Sequence, residues 1–194
     1  MKVILINGPP GSGKDTAAKL ISYALPSVRD LKLSKPLKEA FIKLLQLDGE
    51  SADLLLGKDK DSKISGLNDM TPREVLIELS EHFCKPLFGE GFFGKIAAHS
   101  MRSIPSRVVT ISDAGFDVEV KPIFDKFLYK DIYLIELHRK GRDFSKDSRS
   151  YLDRTQFSPK NVAVINNNYE LDMFQVQIER TLEKWKLRSP SQDL

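Results

Sequence analysis

The sequence contains little cysteine, little histidine and no long hydrophobic run, and each scarcity excludes a class of protein. The single cysteine, Cys84, excludes an intramolecular disulfide and a multi-cysteine zinc site. The three histidines show neither HxxxH nor HxxE spacing, which argues against a histidine metal site. The longest aliphatic run near the start, residues 3–6, is far too short for a signal sequence or a membrane span. A cytoplasmic protein without a membrane partner is therefore expected.

Charge of one sign is also in short supply. The 30 Lys and Arg residues exceed the 27 Asp and Glu residues by only 3, which is too little to indicate nucleic-acid or membrane binding. Hydrophobic residues make up 41% of the chain and charged residues 29%, as in an ordinary globular protein. With 194 residues and no internal repeat, the chain is predicted to form a single domain over residues 1–194.

Apolar stretches of strand type and of helix type alternate along the chain. The predicted strands cover residues 2–6, 30–33, 107–112, 132–137 and 161–165. The predicted helices follow residues 13, 35 and 71 and cover residues 92–101, 117–127 and 170–185. Residues 48–70 are polar and broken by glycines, which predicts a loop that includes one short helix. Strands that alternate with helices indicate an α/β fold of three layers, α/β/α, around a parallel sheet.

The helix that follows residue 71 has a clear start. Thr71 can cap it, Pro72 has no amide to lose in the first turn, and Glu74 can complete a capping box. Apolar residues then recur at helical spacing, which predicts a buried face. That face consists of Val75, Leu76, Leu79 and Phe83.

A glycine-rich stretch lies between the first predicted strand and the first predicted helix. It reads Gly8, four residues, Gly13 and Lys14, which is the P-loop pattern in the context that the motif requires. Its glycines allow successive amides to point inward and surround phosphate oxygens, and the helix N-terminus and the lysine add positive charge. The alternative is a structural turn with a solvated lysine. The predicted phosphate-binding residues are Gly8, Gly11, Ser12, Gly13, Lys14, Asp15 and Thr16.

One position departs from the common P-loop pattern. Asp15 follows the lysine where Ser or Thr usually holds Mg²⁺, and the threonine comes next, as Thr16. Asp113, directly after the predicted strand 107–112, matches the second acid of P-loop proteins, which holds Mg²⁺ directly or through water. Its alternative role is the N-cap of the next helix. The predicted metal ligands are thus Thr16, Asp15 and Asp113.

Several segments together resemble the phage-type deoxynucleoside monophosphate kinases. The matching segments, which cover roughly the first 120 residues, are residues 12–16, 35–39, 57–59, 71–74 and 108–116. The resemblance implies a P-loop kinase fold with an acceptor-binding region over about residues 34–105 and a lid over about residues 139–160. It also implies that ATP is the phosphate donor with Mg²⁺, and that Lys38, Arg73, Phe93 and Asp113 bind the acceptor nucleotide. For Phe93 the alternative to stacking on the acceptor base is a position in the hydrophobic core.

The chain also departs from this family at two places. Ser80 and Glu81 stand where the family usually has a Gly-Thr pair, and Gly115 stands where it has an arginine that neutralises the transferred phosphate. Either another arginine replaces it or the activity is weakened, and the candidate arginines lie in the charged segment 138–154, which includes Lys146. Arg139 is the preferred candidate, with Arg142 and Arg149 as further lid residues. The alternative is a solvated charged loop.

The resulting hypothesis is ATP-dependent phosphorylation of a deoxynucleoside 5′-monophosphate to the diphosphate, with Lys14, Arg73, Asp113 and Arg139 in catalytic roles. Two alternatives stay open, a P-loop kinase of another small phosphorylated metabolite and a weakly catalytic nucleotide-binding module. Small-molecule nucleotides are the expected partners and nucleic acid is not. The accepted base, the donor preference and the oligomeric state, a homodimer included, are left open. Asn168, after the last strand, is either near the adenine or the cap of the final helix.

Overall fold

The computed structural model describes residues 1–57, 59–64, 67–145 and 147–188. Lys58, which belongs to the 57–59 resemblance, and Lys146, which belongs to the charged segment, lie outside the described residues. Five strands form one parallel sheet in the order β2-β3-β1-β4-β5. The strands are β1 (Lys2–Asn7), β2 (Val28–Leu31), β3 (Val108–Ile111), β4 (Ile132–His138) and β5 (Val162–Asn166).

Helices connect the strands. They are α1 (Lys14–Ala24), α2 (Lys35–Leu44), α3 (Gly49–Leu56), α4 (Pro72–Glu78), α5 (Lys85–Phe88), α6 (Phe92–Ser100), α7 (Asp117–Phe124) and α8 (Leu171–Lys184). A π-helical segment, Leu79–Cys84, joins α4 to α5. In the described part of the chain, no helix combines the length and the apolar character that crossing a membrane requires.

The chain divides into two compact units. The sheet unit consists of residues 1–33 and 94–194 and contains all five strands, and the helical unit consists of residues 34–93. The predicted acceptor-binding region, residues 34–105, contains the whole helical unit and also the part of α6 that belongs to the sheet unit.

Burial of β1 on both faces organises the core of the sheet unit. Ile4 and Ile6 belong to a buried cluster together with apolar residues of α1 and α8, among them Ile21, Phe174 and Ile178. The alternate β1 residues, which point to the other face, are also fully buried. An apolar run buried on both faces is typical of a central strand in a parallel sheet. The sheet is therefore covered on both faces, and the predicted three-layer α/β architecture is confirmed.

The order of the strands determines where the loops meet. β1 lies between β3 and β4, and the chain reaches these two neighbours in opposite directions across the sheet. In open α/β sheets, ligands bind at such a switch point, outside the carboxyl ends of the strands. The loops after β1, β3 and β4 begin at Gly8, Ser112 and Arg139, and they therefore share one edge of the sheet.

Two sequence-based expectations differ from the structure. The second strand runs from Val28 to Leu31 instead of from residue 30 to residue 33, because pairing with β3 sets its bounds. Phe83 was expected on the buried face of the helix after Thr71, and this prediction is wrong because its side chain is 55% exposed. The α-helical hydrogen bonding changes at Leu79 to the π pattern, which turns later side chains off the 3.6-residue face.

The predicted capping box at Thr71 is present. The Glu74 amide donates to Thr71 Oγ1 over 3.1 Å, and the Thr71 amide donates to Glu74 Oε2 over 2.8 Å. Thr71→Ala removes the cap and is expected to lower the free energy of unfolding by about 1 kcal/mol, measured by urea denaturation. Thr71→Ser keeps a hydroxyl at the same place and should unfold like the wild type. Equal stability of the alanine and serine variants would contradict a stabilising role of the cap.

Candidate active site

The glycine-rich loop leads directly from β1 into α1, as predicted. Gly13 is the N-cap of α1 and has a left-handed backbone with φ of 100°. A Cβ at this position would lie 2.4 Å from Asn167 Nδ2, so that both conformation and space require glycine. The same Asn167 amide donates to the Ser12 carbonyl over 2.9 Å. The residue after β5 therefore holds the loop in shape.

Ser12 contributes a buried hydroxyl to this loop. Its side chain is fully buried, and within the described part of the chain Ser12 Oγ has no hydrogen-bond partner. Such a group is uncommon, because an unsatisfied buried polar atom costs free energy. A phosphate oxygen bound in the loop is a suitable partner for it. The Ser12 hydroxyl, the amides of the loop and the N-terminus of α1 thus fit the predicted phosphate ligand.

Lys14 lies over the loop. Its ammonium donates to the carbonyl oxygens of Gly8, over 2.6 Å, and Pro9, over 2.8 Å. The pKa of Lys14 is lowered to about 8, chiefly because burial penalises the charged form and also because the charge of Arg149 repels it. An anion bound beside Lys14 would reverse both effects. This is the electrostatic situation expected of a lysine that binds phosphate.

Asn7, the last residue of β1, ties three segments together, and sequence reasoning missed it. Its side chain is fully buried, and its amide Nδ2 donates to the carbonyls of Ala114, over 2.9 Å, and Ser150, over 3.1 Å. Its Oδ1 accepts from the Leu152 amide over 3.0 Å. The only sequence signal is a polar residue at the end of an apolar strand, next to the glycine-rich loop.

Asp113 lies at the carboxyl end of β3, beside the glycine-rich loop in strand order. Its Oδ1 accepts from the Leu33 amide over 2.8 Å. Helix α7 begins after Phe116 and has no side-chain cap, so the alternative role of Asp113 as its N-cap is wrong. The carboxylate is therefore placed on the edge of the sheet where ligands bind, and not on the helix.

Lys32 is a second cation at this edge that sequence reasoning missed. Its ammonium hydrogen-bonds Asp15 Oδ1 and Ser112 Oγ and lies 3.4 Å from Asp30 Oδ2. Although burial lowers the pKa of Lys32, the hydrogen bond to Asp15 and the carboxylate of Asp30 raise it above its ordinary value. Asp15, a predicted metal ligand, is thus paired with an ammonium.

The predicted magnesium site consequently depends on few protein ligands. Among the described residues, no group of three or more His, Cys, Asp or Glu side chains could hold a metal ion. Mg²⁺ usually keeps several waters and takes one or two protein oxygens in addition to substrate phosphates. The Thr16 hydroxyl and the Asp113 carboxylate are donors of this kind. Asp15 would bind Mg²⁺ only by leaving Lys32.

Three arginines of the predicted lid contact the loops that follow β1 and β3. Arg139 Nη1 donates to the Gly11 carbonyl over 3.3 Å. Arg142 packs on Gly11, where its Nε lies 3.1 Å from the position of a Cβ. The stem of Arg149 packs on Gly115, 2.5 Å from the position of a Cβ. The charged segment is therefore more than a solvated loop, which was the alternative.

Arg154, another arginine of the charged segment, is paired with Glu136, a buried carboxylate on β4. Glu136 is almost fully buried and accepts from Arg154 Nε over 2.7 Å and from Arg154 Nη2 over 2.5 Å. His138 Nε2 lies 2.6 Å from the same carboxylate, and Tyr151 stacks on the His138 ring. Burial raises the pKa of Glu136, but the hydrogen bonds from Arg154 and His138 lower it below its ordinary value. Arg154 therefore holds the base of the lid.

Asn167 and Asn168, which follow β5, have a structural role. Helix α8 has Glu170 as its N-cap, so the alternative role of Asn168 as the cap is wrong. Instead, Asn168 Oδ1 accepts from the Lys140 amide over 2.6 Å. Asn167 and Asn168 thus hold the glycine-rich loop and the start of the lid, respectively.

The predicted acceptor residues other than Asp113 belong to the helical unit. Arg73 lies in the first turn of α4, and its Nε donates to Asp61 Oδ1 over 2.5 Å. Lys38 lies in α2 and is half-buried. Phe93 is buried and packs edge-to-face on Phe92, with ring centroids 5.2 Å apart, as a core aromatic does. The role of these residues in binding the acceptor stays a prediction.

No family model matches the chain, and no curated protein sequence matches it. Solved structures with a similar course of the chain include a sugar kinase from Janibacter, 16% identical, with 98% of this chain and 97% of that chain covered and a TM-score of 0.49. An APS kinase from Mycobacterium tuberculosis is 13% identical over 94% of this chain and 96% of that chain, with a TM-score of 0.44. A gluconokinase from Sinorhizobium meliloti is 10% identical over 94% and 92%, with a TM-score of 0.46. At these identities, a function has to be argued from the residues of the chain itself.

Asn7→Asp tests whether the Asn7 amide holds the loops. The change preserves shape, but at pH 7 it places a carboxylate in front of the carbonyl oxygens of Ala114 and Ser150. The free energy of unfolding should fall by about 3 kcal/mol, because two carbonyls lose their donor and a charge is buried. The loss should shrink at pH 5, where a buried carboxyl takes up a proton. Asn168→Asp, which keeps its exposed acceptor, is the matched control. An equal effect of both changes would contradict the role of Asn7.

The lowered pKa of Lys14 predicts a pH dependence of stability. Between pH 8 and the ordinary value of 10.5, the unfolded chain holds the Lys14 proton and the folded chain does not, so stability rises with pH in this range. The free energy of unfolding of the wild type, relative to Lys14→Met, should therefore increase from pH 8 to pH 10.5 and stay level below pH 7. Urea denaturation at a series of pH values measures it. A difference that falls over this range would show a raised pKa instead.

Proposed function

We propose that this chain transfers the γ-phosphoryl group of ATP to the phosphate of a deoxynucleoside 5′-monophosphate. The observation that carries the proposal is the meeting of Lys14, Arg139, Arg142 and Arg149 at the glycine-rich loop and the loop after β3. So many positive groups beside a buried hydroxyl without a partner suit a polyphosphate.

The reaction requires positioning and charge neutralisation. An oxygen of the acceptor phosphate forms a bond to the γ-phosphorus of ATP, while the bond from that phosphorus to the β,γ-bridging oxygen breaks. The electron pair of the broken bond stays on ADP, and the acceptor becomes a diphosphate. Since the attacking oxygen is already ionised, no general base is needed. A site rich in fixed cations and in buried amides provides what such a transfer needs.

The residues of the sheet unit divide this work among them. The amides from Gly11 to Lys14 and the Ser12 hydroxyl would bind the phosphates, and Lys14 would neutralise their charge. Thr16 and Asp113 would hold Mg²⁺, which supplies further neutralisation of the phosphates when bound.

The acceptor is assigned from the helical unit. The resemblance at residues 71–74 supports Arg73 as the ligand of the acceptor phosphate. In the structure the Arg73 guanidinium pairs with Asp61, and both side chains are substantially exposed. An exposed pair of this kind contributes little to stability, so that a phosphate dianion can replace Asp61 at small cost. A kinase of another small phosphorylated metabolite remains the second candidate, because Arg73 would bind any such phosphate.

The proposal is tested by incubating the protein with ATP, Mg²⁺ and each of the deoxynucleoside and ribonucleoside monophosphates and a panel of sugar phosphates. Chromatography should show ADP and a deoxynucleoside diphosphate. Lys14→Ala should lower kcat about a hundredfold or more, as does the loss of a charge-stabilising donor in other enzymes. Arg73→Ala should raise KM for the acceptor more than it changes KM for ATP. Lys184→Ala, on the exposed end of α8, is the control that should leave both unchanged.

Each outcome of this experiment distinguishes the candidates. A phosphorylated product from sugar phosphates alone would favour the second candidate. Nucleotide binding without any product, and with Lys14→Ala as active as the wild type, would contradict a kinase and favour a binding module.

A further inference from the structure

The backbone conformation of Gly115 does not require a glycine, but the space around it does. Among the described residues, the glycines with positive φ are Gly11, Gly13, Gly89 and Gly141, so Gly115 has a conformation that other residues adopt readily. What a side chain would meet there is Arg149. A Cβ on Gly115 would lie 2.5 Å from Arg149 Cδ, 2.7 Å from its Cγ and 2.8 Å from its Cβ. The absence of a side chain at 115 therefore makes room for the stem of Arg149.

Arg149 cannot easily move out of this space. Its Nε donates to Asp147 Oδ1 over 2.7 Å and its Nη2 to Asp147 Oδ2 over 2.5 Å, a bidentate pair that fixes the plane of the guanidinium. The next residue, Ser150, donates its amide to the Gly115 carbonyl over 3.2 Å. Asn7 binds the Ser150 carbonyl over 3.1 Å. The Arg149 side chain is only 24% exposed.

The charge of Arg149 acts on the phosphate site. Burial is the main cause that lowers the pKa of Lys14, and the charge of Arg149 lowers it further; the hydrogen bond with Asp147 is the main cause that raises the pKa of Arg149, and the Asp113 carboxylate raises it further. The guanidinium is therefore within electrostatic range of both the lysine of the glycine-rich loop and the acid after β3. The carboxylate of Asp147 is already paired with the Arg149 guanidinium, and Asp113 acts on it as well. A polyphosphate bound at the glycine-rich loop would add the negative charge that neutralises both Arg149 and Lys14.

From this contact we propose that Arg149 is the second cation, beside Lys14, that binds the transferred phosphate. We propose also that position 115 is a glycine because any side chain there would displace the stem of Arg149. The inference rests on the proposed function, since it names the residue that provides the charge in that reaction. It also differs from the expectation drawn from the sequence, which prefers Arg139 for this role. Arg139 is exposed and donates to the Gly11 carbonyl, whereas Arg149 is held by Asp147 beside Gly115.

Binding of inorganic tripolyphosphate tests the phosphate site without requiring turnover. Arg149→Met keeps an apolar stem and removes the guanidinium, and it should weaken tripolyphosphate binding about tenfold or more, measured by calorimetry. Turnover, where it is measured, should fall about a hundredfold. Arg180→Met, on the exposed face of α8, is the matched control.

Two further variants test the contact between Gly115 and Arg149. Gly115→Ala forces the Arg149 stem to move and should weaken tripolyphosphate binding nearly as much as Arg149→Ala does. The double variant Gly115→Ala with Arg149→Ala should bind no worse than Arg149→Ala alone, because the displaced group is already absent. Melting curves of the double variant show whether the fold tolerates alanine at position 115.

The outcomes separate this inference from the proposed function. Loss of tripolyphosphate binding in Arg149→Met, without diphosphate formation by any variant, would support the role of Arg149 and contradict the kinase. Unchanged binding in Arg149→Met, or a wild type that binds no tripolyphosphate, would overturn the role of Arg149. Losses in the two single variants that multiply in the double variant would overturn the role assigned to Gly115.

Discussion

The buried amide of Asn7 is the contact on which the candidate site depends. Asn7 lies at the carboxyl end of β1, the central strand. Its side chain contacts both the loop after β3, at Ala114, and the end of the charged segment, at Ser150 and Leu152. Its three hydrogen bonds satisfy backbone groups of these two segments, and the bonds to Ala114 and Leu152 are buried. The glycine-rich loop begins at the next residue, so the position of the phosphate site follows from the same anchor.

The concentration of positive charge at this edge of the sheet is not evident from the net charge of the whole chain. A net charge of +3 over 194 residues suggests no anion site. Locally, however, Lys14 and Arg149 are close enough that one lowers the pKa of the other, while Lys32 is neutralised by Asp15. Lys14 and Arg149 are the cations of the proposed anion site, and Lys32 contacts Ser112 and Asp30 at the ends of β3 and β2. Lys32 also explains why an aspartate directly after the P-loop lysine is tolerated.

The parts of the site that follow from local sequence could be predicted. The glycine-rich loop, the capping box at Thr71 and the bounds of β4 within one residue depend on neighbours along the chain, and patterns record such neighbours. The contact of Arg149 with Gly115 joins residues 34 positions apart, and Lys32 reaches Ser112 over 80 positions. No periodicity encodes contacts of that kind. Phe83 was misplaced for a local reason instead, since a π-helical segment has no clear sequence signal.

The residues proposed for phosphate transfer and most of those proposed for binding the acceptor lie in different units of the chain. Among the described residues, Lys14 and Arg139, which contact the glycine-rich loop, and Arg149, which contacts the loop after β3, all belong to the sheet unit. Arg73, the predicted ligand of the acceptor phosphate, belongs to the helical unit, where its guanidinium pairs with the exposed carboxylate of Asp61. Exposed pairs are weak and easily exchanged, whereas buried ones are not. In the proposed function, the cations that bind the transferred phosphate therefore belong to the sheet unit, whereas Arg73, Lys38 and Phe93, three of the four proposed acceptor ligands, belong to the helical unit.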